Sequence, residues 1–248
     1  MFETVLNPIF SPLLKLPPLA SIAIISLLIS LIITIVYKYV TDQTLMKDLK
    51  QRQKEMQKKM KELKKEPEKM MKVQKEAMEL NMRYMKQSFK PTLITFIPII
   101  IIFGWLNANM AFYPIMPSQE FSATAMFNEG YTGNVTISVP EGIEIVGEKT
   151  AQIEEGAAEF RLKGEEGNYL LVFDYEGRHF DKELTITKGQ RYAPVQKVFK
   201  KESVKAINIG NKKLIALNLF GWEIGWLGTY IIFSLVFSLG LRKLLKIY

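Results

Sequence analysis

The residues best placed to do chemistry in this chain are hydroxyls set at helical spacing inside apolar runs. Ser26, Ser30, Thr34 and Tyr37 recur every three or four residues in the uncharged stretch between Lys15 and Lys38. At about 100° per residue they fall within an arc of roughly 80° on a helix. Glu223, Tyr230, Ser234 and Ser238 fall in a similar arc of about 80° in a second apolar stretch. Thr92 and Thr95 open a third, which closes with Asn107 and Asn109. The chemistry these groups offer is non-covalent. They supply hydrogen bonds where hydrocarbon supplies none, and polar side chains at that depth face protein or a wet cavity. The same serines also suit close helix packing, and Gly221, Gly225 and Gly228 form a G-x-x-x-G-like run with that property.

Covalent chemistry finds no support. No nucleophile–base pattern, glycine-rich phosphate loop or zinc spacing occurs in the 248 residues, and there is no cysteine. The lone His179, in YEGRHFDKE, has no second histidine with which to share a metal. No enzymatic activity, metal or cofactor is expected.

The elements that would position the hydroxyls are membrane spans. The apolar residues are segregated into blocks of 22 (16–37), 29 (91–119) and 18 (224–241) uncharged residues. A helix needs about 20 apolar residues to cross a bilayer. Three transmembrane helices are therefore expected, at 17–39, 91–112 and 216–241, the last with Glu223 inside it. A signal peptide is the alternative for the first block, but its apolar core is long and basic residues follow it. Pro98 is expected to kink the second span, and Trp105, Trp222 and Trp226 to sit in an interfacial belt.

Charge orients the spans. Segment 41–90 has 15 Lys/Arg against 8 Asp/Glu, a net +7, and the tail RKLLKIY (242–248) adds +3. Segment 112–221 has 13 against 15, a net −2. Basic flanks stay cytoplasmic. Segment 40–90 and the tail are thus expected inside, and the N-terminal segment 1–16 and the segment 113–215 outside, in the cell membrane.

Segment 40–90 alternates lysine with methionine and holds eight of the twelve methionines. Leu45, Leu49, Met56, Met60 and Leu63 recur at helical steps. Met71, Met78 and Met85 step by seven, with Val73, Ala77, Met82 and Phe89 beside them, a heptad-like pattern. Pro67 interrupts it. Two antiparallel helices, about 44–65 and 68–89, are expected to meet near Glu66–Pro67. Met56, Met60, Met70, Met71 and Met78 are the candidate contacts for a client or ribosome. The alternatives are a methionine-filled seam and a solvated basic face near lipid headgroups.

From 118 to 210 the period changes to two. NVTISV, IEIV, AEFRL, YLLVFDY, ELTIT and VKAINI read as strands of a small sandwich. Asn134 heads the glycosylation pattern NVT. The fold class expected is an α-helical membrane protein with three transmembrane helices, a cytoplasmic antiparallel coiled-coil hairpin and a small extracellular β domain.

Four stretches carry a family resemblance: NPIFSPLLKLPPL before span one, YKYVTDQTLMKDLK leaving it, LNMRYMKQSFKPTLITFIP entering span two and FGWLNANMAFYPIMP leaving it. Over about residues 5–117 the chain resembles the archaeal three-span branch of the YidC/Oxa membrane-protein insertase superfamily, related to eukaryotic ER membrane insertase subunits. The resemblance implies a hydrophilic intramembrane groove through which client helices enter the bilayer, and a cytoplasmic coiled coil that receives the client or ribosome. Groove chemistry would rest on Ser26, Ser30, Thr34, Thr95 and Ser234, since the spans as read, apart from Lys38 at the end of the first, contain no Lys or Arg in place of the arginine of many bacterial relatives. The implied partners are nascent membrane proteins, the ribosome, the lipid bilayer and additional membrane subunits. The competing readings are a membrane-anchored receptor or adhesion protein working through its β domain, and a small channel or transporter.

Overall fold

The computed structural model describes residues 2–63, 66–200, 202–245 and 247. It separates into two compact units: Met1–Pro18 with Trp105–Trp226, and Leu19–Gly104 with Leu227–Tyr248. Three helices are long and apolar enough to cross a membrane, Pro18–Val40, Pro67–Met110 and Trp226–Leu244.

In the helical unit, α2 (Pro18–Val40) carries the first apolar block. It ends at a short break, and Asp42 then caps α3 (Gln43–Glu62) by accepting from the Thr44 and Leu45 N–H groups at 3.0 Å. Pro67 is the first residue of α4, where its missing N–H costs nothing. Lys64 and Lys65, in the expected turn, lie outside the described residues. The helix is not interrupted at residue 90: α4 (Pro67–Met110) is one 44-residue helix running through Pro91 and Pro98. Thr92 and Thr95 follow the first proline. Their hydroxyls donate to the Ser88, Pro91 and Thr92 carbonyls at 3.0–3.3 Å beside the first proline.

The third span is also corrected. Residues 217–224 are not helical. They form a hairpin, β10 (Leu217–Leu219) with β11 (Trp222–Ile224), in which Glu223 pairs with Asn218. Gly221 sits at φ +92° in the turn, and its N–H donates to Asn218 Oδ1 at 2.9 Å. Glycine adopts that φ without strain, so here it makes a turn and not a packing motif. Helix α5 begins only at Trp226 and runs to Leu244, which brings Arg242 and Lys243 into its last turn.

The other unit opens with α1 (Phe2–Phe10) and a 3-10 turn (Ser11–Lys15). Its main body is a sandwich of two antiparallel sheets. One has the order β3-β5-β1-β9-β8 and the other β4-β2-β6-β7. The strands are β1 (Phe121–Phe127), β2 (Asn134–Ser138), β3 (Ile143–Ile145), β4 (Thr150–Gln152), β5 (Ala157–Gly164), β6 (Gly167–Tyr175), β7 (Arg178–Ile186), β8 (Gln196–Val198) and β9 (Val204–Ile209). Alternate residues point inward, as in β1, and meet in one core around Phe121, Val135, Phe160, Phe173 and Ile207. One inward position of β7 is polar. Lys182 is 1% exposed, and its Nζ donates to the Glu183 and Pro194 carbonyls at 2.6 Å.

Candidate functional site

Four of the five hydroxyls predicted for a groove face inward, and the fifth, Ser234, is half-buried. Ser26, Ser30 and Thr34 of α2 and Thr95 of α4 are all buried. Ser26 Oγ donates to the Ile22 carbonyl at 2.7 Å, Thr34 Oγ1 to that of Ser30 at 2.6 Å, and Thr95 Oγ1 to that of Pro91 at 3.0 Å. Ser234 of α5 bonds back to Ile231 at 3.0 Å. These bonds within a helix leave each hydroxyl satisfied by its own turn. The contact that links helices is Ser30 Oγ to the Ser234 carbonyl, at 3.4 Å. Near Thr95, the cavity between α2 and α4 is otherwise walled by isoleucine, valine and Pro98 and holds about 100 Å³.

Sequence reasoning missed Arg242 by placing it in the tail. Its guanidinium lies 4.7 Å from the ring centroid of Tyr37, a cation–π arrangement at one end of the helical unit. An arginine directly after an apolar run was the available signal.

The methionines divide sharply. On α3 the less exposed positions are Met46, Leu49, Gln53, Met56, Met60 and Leu63, and on α4 they are Met70, Val73, Ala77, Leu80 and Tyr84. Both series alternate steps of three and four. A 2.7 Å bond from Gln53 Nε2 to Asn81 Oδ1 joins the middle of α3 to the first half of α4. Met71, Met78, Met82, Met85 and Phe89 are instead 53–68% exposed. Helical rotation puts them about 100–160° from the mean direction of the α3-facing series. The seven-residue methionine period therefore marks an outer face of α4, and Val73 and Ala77 belong to the inner one.

In the other unit, a loop the sequence did not single out finishes α4. Tyr192 Oη accepts from the Ala111 and Phe112 N–H groups at 2.9 and 3.3 Å and donates to the Asn107 carbonyl at 3.0 Å. Gln190 Nε2 donates to the Asn109 and Phe112 carbonyls at 3.0 and 2.8 Å. These carbonyls lie at a helix end that has no further turn to satisfy them. Burial raises the Tyr192 pKa above its usual value, with the two N–H donors working the other way. Removing the hydroxyl with Tyr192→Phe is expected to cost about 2–3 kcal/mol, read as a lower melting temperature of the full chain.

Trp105, expected in an interfacial belt, packs against protein. It is buried, its Nε1 donates to Asn7 Oδ1 at 2.8 Å, and its ring lies 5.2 Å from that of Phe10. Asn134 is exposed at the start of β2. His179 Nδ1 lies 2.9 Å from Asp174 Oδ2 in an exposed cross-strand pair. No cluster of three or more potential metal ligands occurs among the described residues.

A family model described as integral membrane protein EMC3/TMCO1-like matches residues 3–135, more than half of the chain. The chain belongs to the EMC3/TMCO1-like family. That family is part of the YidC/Oxa1/Alb3 insertase superfamily and is related to subunits of the ER membrane complex. For this EMC3/TMCO1-like chain, membership supports an insertase-type role at a coarse level and a multi-pass membrane protein that is not a conventional enzyme. The matched region spans α1 to α4 and reaches β2, so most of the sandwich and all of α5 lie beyond it. No curated protein and no solved structure matches the chain.

Proposed function

We propose that this protein inserts client segments into the bilayer, receiving them on a cytoplasmic antiparallel coiled coil of α3 and the first half of α4. The observation that carries this reading is the exposed methionine face of α4. Methionine is flexible and polarisable and adapts to varied apolar partners, which suits a site that must accept many sequences briefly. The lysines around it keep that face soluble and would contact anionic partners, the ribosome among them.

Transfer would then pass the hydroxyls of α2, α4 and α5. Ser26, Ser30, Thr34, Thr95 and Ser234 now bond to nearby carbonyls, mostly within their own helices. If α5 parted from α2, the Ser30–Ser234 seam would open and water or a client's polar flank could take over those bonds. Arg242 would provide the cation at the cytoplasmic mouth. No covalent step is needed, because the task is to lower the several kcal/mol that each unsatisfied polar group costs in hydrocarbon.

Basic residues concentrate in segment 41–90 and from the last turn of α5 onward, which supports an inside location for both of these segments. The sandwich would then lie outside, with Asn134 open to glycosylation. Photo-crosslinkers at positions 30, 34, 78 and 234 test the reading in cells making a short membrane protein. Client adducts are expected at all four. Lipid adducts alone at 30, 34 and 234 would remove the groove, and an absence of client at 78 would remove the receiving face.

A further inference from the structure

A second cavity, of about 640 Å³, lies wholly within the sandwich-bearing unit. Its walls are residues 14–18, 113–116, Gln119, 188–190 and 211–212. Lys15, Lys188 and Lys212 line it, and no acidic side chain does. Among the described residues none of the three is in an ion pair. Glu166, whose carboxylate reaches this loop, is engaged by Thr187 Oγ1 at 3.0 Å and the Lys188 N–H at 3.4 Å. The rest of the lining is largely apolar, including Leu14, Pro17, Pro114 and Met116. Such a cavity offers positive charge beside an oily wall.

The walls are fixed before any ligand arrives. Gln190 is tied to the end of α4, the Tyr113 N–H donates to the Lys212 carbonyl at 2.8 Å, and Asn211 Nδ2 donates to the Tyr113 carbonyl at 3.0 Å. The three lysines converge in a segment whose overall charge is slightly negative, 13 basic against 15 acidic residues over 112–221.

Chain connectivity sets the depth. Lys15 is three residues before α2 begins at Pro18, and Tyr113 is three residues after α4 ends at Met110. The start of the first span and the end of the second share one side of the membrane. Three residues reach at most about 10 Å, comparable to the headgroup layer.

We infer that this cavity binds a phosphate ester carrying an apolar chain, namely the headgroup of an anionic phospholipid on the side of the membrane opposite the basic helical hairpin. The lysines hold the phosphate, and the leucine, proline and methionine wall takes the glyceride and first methylenes. This site is independent of client handling and uses none of the groove residues.

The test is native mass spectrometry of the full chain in detergent, titrated with phosphatidylglycerol, phosphatidylcholine and glycerol 1-phosphate. Wild type is expected to bind phosphatidylglycerol about ten-fold more tightly than phosphatidylcholine. The variant K15Q/K188Q/K212Q is expected to lose about ten-fold or more of that affinity, and each single replacement about five-fold. The single replacements serve if the triple variant does not fold. A control, K200Q/K205Q, should bind as wild type does. Glycerol 1-phosphate bound as tightly as the lipid, and lost in the same variant, assigns the cavity to a soluble phosphate ester. Equal binding of the two lipids, or undiminished phosphatidylglycerol binding in the triple and single variants, overturns the proposal.

Discussion

Lys182→Ala is expected to destabilise the β sandwich by about 3–5 kcal/mol, the largest stability effect of any single replacement considered. The side chain is buried between β7 and the 187–195 segment, and its amine holds the Glu183 and Pro194 carbonyls. Alanine removes the aliphatic stem and leaves two acceptors without their donor. Lys182→Met keeps the stem, so it should cost less, and thermal unfolding of the full chain orders the two variants. Alanine proving no worse than methionine would show that the stem packs against nothing of consequence.

The same residue gives the protein a definite response to alkali. Burial lowers the Lys182 pKa to about 8, with the Glu183 carboxylate opposing and Lys197 adding to the drop. The unfolded chain keeps the ordinary value of about 10.5, so between the two it binds more protons than the folded one. Stability should therefore rise as pH climbs from about 8 towards 10, by about 3 kcal/mol at most. Above pH 10 the trend reverses, because burial holds Tyr175 and Tyr192 protonated in the fold after they would ionise in the open chain. On the acid side, the Lys197 ammonium holds the Asp181 carboxyl below its usual value, and that small exposed contribution fades as pH falls through its folded pKa. In Lys182→Met the rise between pH 8 and 10 should vanish.

Replacing Met71, Met78, Met82 and Met85 together by serine is expected to cut client crosslinking by about ten-fold or more while leaving the fold intact. Each side chain is at least half exposed, so stability should change by no more than about 0.5 kcal/mol per site. A client helix lying on that face would lose apolar contact from all four. The contrast is with Met46→Ala and Leu49→Ala on the buried side of α3, where about 2–4 kcal/mol of stability should be lost. Unchanged insertion by the quadruple variant would eliminate the receiving face, whatever the family.

The sequence was most legible where one physical requirement dominated. Segregated apolar blocks and a proline between charged halves located α2, the start of α4 and most of α5, because bilayer thickness and the proline ring each allow few alternatives. It misled where two requirements share a period. Val73 and Met71 both belong to apolar heptads of α4, yet one faces α3 and the other faces out, and spacing alone does not say which. The 217–224 hairpin was read as helix because its leucines and tryptophan raise hydropathy, while the decisive cue was the Asn218–Gly221 turn. Strand β1, FSATAMF, was passed over because alanines at its inner positions carry little strand signal, although Ala123 and Ala125 are fully buried. The hydroxyls of α2 share one arc by angle, but angle cannot distinguish a hydroxyl open to a client from one bonded to its own helix. The loop that finishes α4 had no local pattern, since Gln190 and Tyr192 act on carbonyls some 80 residues away in sequence.

The unbroken passage of α4 through Pro91 has a kinetic meaning. The outward azimuth of Met71, Met78, Met85 and Phe89 continues into Leu93, Phe96 and Ile100, all exposed and within about 40° of the same line. On the proposed function, a client held on the first residues of this rail would not need to detach to reach the last. It can slip along one helix in single-turn steps of about 5 Å, exchanging one apolar contact for the next. Delivery would then resemble one-dimensional diffusion down a track, in which the solvent around the client would thin gradually from water to lipid. A helix broken at residue 90 would have interrupted that track between its methionines and its isoleucines.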